Sequence, residues 1–211
     1  MWWRSTHAAS DKPFMPDTTR EQIVQAADDL FYRQGFDTTS FSDIAAGVGI
    51  SRGNFYYHFK TKNQILDAVI DLRLTNTRAM LDQWQAGCGT PAERIGSFIS
   101  ILIANQAKIM AYGCPVGTLC AELAKLDHAA RPDARRIFSM FRDWLRDQFV
   151  AMGRVDDADD LALTLLGRSQ GVAAMATAFQ DVDFVRREVE DMQQWVAARA
   201  AESARAEIHK V

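Results

Sequence analysis

Between Ser51 and Lys62 the chain sets out a hydroxyl, a guanidinium, a carboxamide, two phenols, an imidazole and two ammonium groups, on Ser51, Arg52, Asn54, Tyr56, Tyr57, His58, Lys60 and Lys62. Such groups can hydrogen-bond and neutralise a phosphate backbone, and Arg52 and Asn54 are the side chains best suited to reach base edges. A second chemistry is offered by Cys114, in Tyr112-Gly113-Cys114-Pro115, just ahead of a helical run whose unpaired amides favour thiolate reactivity. The three cysteines, Cys88, Cys114 and Cys120, have no C-x-x-C spacing and few histidines nearby, which argues against a disulfide framework and against zinc. No metal ligand and no cofactor are expected. An enzyme using Cys114 as nucleophile and His128 or His58 as base is a rival reading. The sequence has no nucleotide loop or paired Cys/His/Asp context to support it, so no catalytic residue is assigned. A second rival is a helical module that docks protein rather than DNA.

The elements that must position these groups are helical. Ile23, Ala26, Ala27, Leu30 and Phe31 recur at helical spacing after Thr18 and Thr19, and Gly35 stops the run. Ser40 then stands three residues before Asp43, the capping-box spacing, and opens a short helix to about Val48. Gly49 can take the positive φ of a sharp turn, and Ser51 can cap a third helix in which Phe55 and Phe59 face inward. Two short helices joined by such a turn are a helix-turn-helix, whose second helix enters the major groove. Ala45, small where the helices cross, and Phe55, ten residues later, agree with that geometry.

The remainder reads as longer helices. One starts near Lys62 and reaches Trp84; Gly87-Cys88-Gly89-Thr90-Pro91 punctuates the chain; a fifth helix runs from about Pro91 to Ala111. Further helices are expected at 118–124, 132–152, 157–179 and 184–206. No segment shows period-two alternation, so the fold class is all-α, about nine helices. Residues 1–17, with Pro13 and Pro16 and no apolar period, read as a flexible tail, residues 18–63 as the helix-turn-helix domain, and residues 64–211 as a larger domain for effector binding and dimerisation.

Composition limits the alternatives. With 48% hydrophobic and 24% charged residues the chain is close to the globular norm, and no apolar run suffices for a membrane span. The N-terminus turns polar at once, so a cytoplasmic protein without a membrane partner is expected. The net charge of -3 does not advertise nucleic-acid binding, but cations and anions balance up to Lys62, and Arg52, Lys60 and Lys62 fall close together.

The stretch TSFSDIAAGVGISRGNFYYHFKTKNQIL, Thr39 to Leu66, resembles the N-terminal signature of the TetR family of bacterial transcriptional regulators. That resemblance implies DNA contact by Ser40, Ser51, Arg52, Gly53, Tyr56, Tyr57, His58 and Lys62, with Phe55 and Phe59 in the core. Asn54 stands where threonine or serine is more usual, which bears on base preference rather than fold. It also implies a ligand-responsive regulator that leaves a pseudo-palindromic double-stranded operator when a small molecule binds. A homodimer follows, because one helix-turn-helix reads few base pairs. Its interface is expected at Leu163, Gly167, Gly171, Ala174, Ala178, Val189, Met192 and Trp195. For the effector, the adaptable or bulky side chains Trp84, Phe98, Leu102, Tyr112, Cys114, Met140, Phe141, Trp144, Gln170 and Met175 are the candidates. The Gly113-Cys114 segment is similar to one in a subgroup that includes sensors of electrophiles, which makes an electrophile one candidate effector.

Overall fold

The structure, a computed structural model, describes residues 18–87 and 89–208, so the expectations for the tail and for Cys88 lie outside it. Among the described residues there are ten helices and no strand: α1 Thr19–Gln34, α2 Phe41–Val48, α3 Arg52–His58, α4 Lys62–Gly87, α5 Pro91–Ala104, α6 Gln106–Tyr112, α7 Pro115–Lys125, α8 Arg131–Ala151, α9 Ala158–Phe179 and α10 Val182–Ile208. The expected all-helical fold is present. The expected fifth helix is two, because Asn105 leaves helical geometry at ψ 16° and its side-chain amide donates to the Ile101 carbonyl at 3.3 Å. A carboxamide that competes for backbone partners in this way interrupts a helix.

Helix starts are written locally. Thr18 with Glu21, Ser40 with Asp43 and Thr90 with Glu93 each form a reciprocal capping box, which satisfies amides that the first turn leaves unpaired. No single helix among the described residues is long and apolar enough to cross a membrane.

The chain divides into two compact units, Met1–Asn76 with Pro115–Ile137, and Thr77–Cys114 with Phe138–Val211. The first unit is therefore discontinuous in sequence: α1, α2, α3 and the start of α4 are joined by α7 and the start of α8. Its core holds Ile23, Ala27, Phe31, Ile44, Phe55, Phe59, Ile65, Leu66 and Val69, with Val116, Leu119 and Leu123 contributed by α7. Through this core runs a buried ion pair. Arg73, only 1% exposed, meets the Asp28 carboxylate at 2.6 Å through Nε and donates from Nη1 to the Pro115 carbonyl at 2.7 Å, tying α4, α1 and the first residue of α7 together. In the second unit α10 packs on α5 and on α9, and α9 on α6. Ile95, Ile99, Leu145, Phe149, Val172, Val185, Val189 and Met192 are buried there.

Candidate nucleic-acid interface

The reading element is built from its caps. Ser40 Oγ accepts the Asp43 amide at 3.2 Å, and Asp43 Oδ2 accepts the Ser40 amide at 2.8 Å and its hydroxyl at 2.7 Å. These bonds, the hydroxyl first, hold the Asp43 carboxyl below its ordinary range. At the other end of α2, Gly49 adopts the left-handed conformation, φ 75° and ψ 30°, and its amide returns to the Ala45 carbonyl at 2.9 Å. A side chain there would strain the backbone. Two residues later Ser51 accepts the Asn54 amide at 3.3 Å and starts α3.

Phe55 fixes which face of α3 is hidden. It is 1% exposed and lies 5.2 Å from the Phe41 ring, while Tyr56 meets the same ring edge-on at 5.6 Å. The opposite face is left to solvent: Arg52, Gly53 and Asn54 are exposed, and Tyr57 is 79% exposed with its ring against His58 at 5.2 Å. Arg52 is already oriented, because Nη2 donates to Ser42 Oγ at 3.0 Å. The Lys60 ammonium caps the Tyr56 carbonyl, and Ser40 and Ser51 are both exposed at helix starts. A short helix with a guanidinium, a carboxamide and phenols on one face can enter a groove and donate to phosphates and base edges.

Lys62 is placed differently from the expectation. Its ammonium donates to the carbonyls of Phe36, Asp37 and Thr39 at 2.9, 2.8 and 3.2 Å and lies 4.5 Å from the Phe36 ring centre. An ammonium has three donors, and all are committed inside the first unit, so Lys62 holds the turn before α2 rather than standing free for phosphate.

Of the effector candidates, the second unit brings Trp84 against Trp144 at 5.6 Å and Phe98 against Phe141 at 5.6 Å. Leu102 is buried, Cys114, Met140 and Gln170 are half-buried, and Tyr112 and Met175 are exposed. The polar neighbour of the tryptophan pair is Gln148, which is buried and donates to Gln85 Oε1 at 3.1 Å. Among the described residues, two buried atoms, Thr77 Oγ1 and Trp144 Nε1, have no hydrogen-bond partner.

Of the dimer candidates, Leu163, Gly167, Gly171, Ala174 and Ala178 lie on one exposed face of α9, continued by Met175 and by Phe179, which is 72% exposed. Among the described residues outside the helix's own backbone, nothing stands within 4 Å of where a Cβ on Gly167 or Gly171 would sit. Val189 and Met192 are instead used by the chain's own core, and Trp195 packs on Phe149 at 6.1 Å under the Arg199 guanidinium. The α10 stripe is apolar because α5 and α9 cover it.

Sequence reasoning missed Asp28, Arg73 and Glu122. The first two carry a signal, since a charge stands at a core phase of each helix: Asp28 with Val24, Ala27 and Phe31, and Arg73 with Val69, Ile70 and Leu74. Glu122 carries none, its partners being 85 and 86 residues away. The His128 ring meets Phe36 at 5.2 Å and both its nitrogens are engaged, Nδ1 by the Ala130 amide at 3.0 Å and Nε2 with Asn63 at 3.2 Å.

Comparison with known proteins adds to this geometry. Residues 23–69 match the model of the bacterial regulatory proteins of the tetR family, and residues 91–191 match that of the LmrA/YxaF-like transcriptional regulator C-terminal domain. An HTH-type transcriptional repressor of Mycobacterium tuberculosis is 35% identical over 135 residues, which cover 61% of this chain and 69% of that protein. An uncharacterised HTH-type regulator of Lactococcus lactis is 27% identical over 78% of this chain and 86% of its own length. A crystal structure of a transcriptional regulator from Legionella pneumophila superposes with a TM-score of 0.76 at 22% identity, over 84% of this chain and 97% of that one.

Proposed function

Because this chain belongs to the TetR family of bacterial transcriptional regulators, DNA-binding proteins that respond to a ligand and are typically dimers, we propose that α3 reads its operator and α9 pairs it with a second copy. The observation that carries the reading is the division of α3 by Phe55: an aromatic anchor sunk in the first unit, with Arg52, Asn54 and Tyr57 facing out. Phosphate contacts from Ser40, Ser51, Tyr56, Tyr57, His58 and Lys60 set the register, and Arg52 and Asn54 discriminate bases. Lys62 acts behind them by holding the turn.

The partner on α9 is a second copy of this chain. On its exposed face Leu163 on one side and Met175 and Phe179 on the other flank Gly167 and Gly171, whose missing side chains let another helix approach closely. A dimer sets the two α3 helices on half-sites about 34–36 Å apart or a multiple of that. The protein works in the cytoplasm, where its DNA is.

The effector site is assigned to the second unit, beside Trp84, Phe98, Phe141 and Trp144. An unpaired buried polar group costs about 1–3 kcal/mol, so Thr77 Oγ1 and Trp144 Nε1 favour an effector that brings a hydrogen-bond acceptor. Effector binding favours a state that does not hold DNA, and a hundredfold preference corresponds to about 2.7 kcal/mol. The finer reading is an electrophile: the Cys114 thiolate adds to the β-carbon of an unsaturated carbonyl and the α-carbon takes up a proton. Cys114→Ser then abolishes release by that compound.

Selection of duplexes from a random pool by the purified protein tests the whole. A palindromic consensus is expected. Retention of every duplex alike, or binding that stays flat as salt rises, would refute DNA reading, since each phosphate contact adds a log-log slope of about -0.9.

A further inference from the structure

The turn between α1 and α2, Phe36 to Thr39, is held from two sides by opposite charges. Its outward amides go to Glu122 of α7: Phe36 N–H donates to Oε2 at 2.9 Å and Asp37 N–H to Oε1 at 2.8 Å. Its carbonyls go to Lys62, as described. The grip is close, for a Cβ on Gly35, which sits at φ 92°, would come within 3.0 Å of Glu122 Oε1. Glu122 is thus the acceptor for two successive backbone amides, a bidentate charge-assisted contact with little room for an alternative.

What this turn controls is the start of the reading element. Ser40, the next residue, caps α2, and Ser42 in the first turn of α2 receives the Arg52 guanidinium of α3. Glu122 therefore fixes Phe36 and Asp37, three or four residues along the chain from the Ser40 cap, and a hydrogen bond from Arg52 to Ser42 carries the same helix start on to α3. The other end of α7 is held too, by Arg73 on the Pro115 carbonyl, one residue after Cys114. A shift of α7 along its axis breaks both contacts at once, and α7 begins where the chain leaves the second unit.

From these contacts we infer that Glu122 is the positioning residue through which α7 holds the helix-turn-helix in its operator-binding arrangement, so that the closed Glu122 latch belongs to the DNA-bound state and its opening to the released state. The inference rests on the DNA-reading role proposed above. Two hydrogen bonds to a charged group are strong enough that even part of their energy, assigned to the DNA-competent state, changes operator affinity by about tenfold.

The test uses the full-length protein and the duplex that the wild type selects, with Glu122→Gln and Glu122→Ala. Gln keeps the shape and one acceptor but turns an amide donor toward a backbone donor; Ala removes both contacts. The latch predicts that both variants lose about tenfold or more in affinity for the selected duplex. Non-specific binding and its salt slope stay at the wild-type value, and hydrogen exchange quickens at the Phe36 and Asp37 amides while Ile44 and Phe55 stay protected. Wild-type affinity in both variants would overturn it. So would a loss of specific and non-specific binding in parallel with a lower folded fraction, which marks a merely structural contact. If the wild type itself prefers no duplex, the regulatory reading falls and the latch with it; if the wild type selects and the variants match it, the latch alone falls.

Discussion

Replacing Arg73 by methionine keeps an unbranched apolar stem and removes the guanidinium, with its charge and its hydrogen-bond donors. What remains is an Asp28 carboxylate at 4% exposure without its 2.6 Å partner and a Pro115 carbonyl without its 2.7 Å donor. Breaking a buried pair by deleting one member costs about 3–5 kcal/mol, because the other charge stays desolvated. Counting the same loss as two hydrogen bonds to a charged group, at about 1.5–3 kcal/mol each, gives a similar figure. For a chain of this size each kcal/mol moves the thermal midpoint by about 2–4 °C, so a fall of about 6–20 °C is expected. Denaturant and thermal unfolding followed by circular dichroism would measure it, at fixed protein concentration because a dimer's stability depends on that concentration. The second arm is Arg73→Met with Asp28→Leu, which removes both charges and restores most of the loss, since an apolar pair of similar volume is often no worse than the ion pair. A single variant within about 1 kcal/mol of wild type, or a double variant no better than the single, would refute the assignment of the cost to a stranded carboxylate.

Lys60 and Lys62 separate two roles for neighbouring cations. Lys60→Ala makes the salt dependence of DNA binding shallower by about 0.9 with little change in stability, whereas Lys62→Met lowers the unfolding midpoint by freeing three carbonyls; a reversed outcome in titrations at several salt concentrations would refute the placement. Leu163→Glu on the open face of α9 yields a folded monomer by sedimentation, and a persistent dimer would remove that face as the interface. The capping carboxyls of Asp43 and Glu93 lie below their ordinary values of 3.8 and 4.5, so their contribution is present above those values and is lost as pH falls through the lower folded ones. The gap in denaturant midpoint between wild type and a Ser40→Ala, Thr90→Ala double variant is therefore widest at pH 7 and narrows as pH falls below those ordinary values, leaving the part owed to the hydroxyls that accept the Asp43 and Glu93 amides; a gap constant with pH would contradict this.

What the sequence made legible is what depends on neighbours within a turn or two. Ser40 with Asp43, Gly49 and the inward Phe55 announce themselves by spacing, because caps, left-handed turns and helix faces are decided within about ten residues. Lys62 shows where this fails: its type and position suit phosphate, yet its partners are carbonyls 23–26 residues earlier. Val189 and Met192 show a second limit. An apolar stripe states that a face is covered without stating by what, and here α5 and α9 of the same chain cover it. Asn105 illustrates a third, a polar residue whose local hydrogen bond overrides a helical apolar period on both sides of it.

The first unit's division between Met1–Asn76 and Pro115–Ile137 has a consequence for how the protein is made. The ribosome delivers α1 to α3 first, but the residues that finish their core, among them Val116, Leu119 and Leu123, emerge only after some forty residues that belong elsewhere. The first unit is thus complete only after α7 has been made. A nascent chain halted after Asn76 carries the apolar residues of α1 without the α7 segment that packs on that helix, and is a substrate for chaperones and proteases rather than a free competitor for the operator.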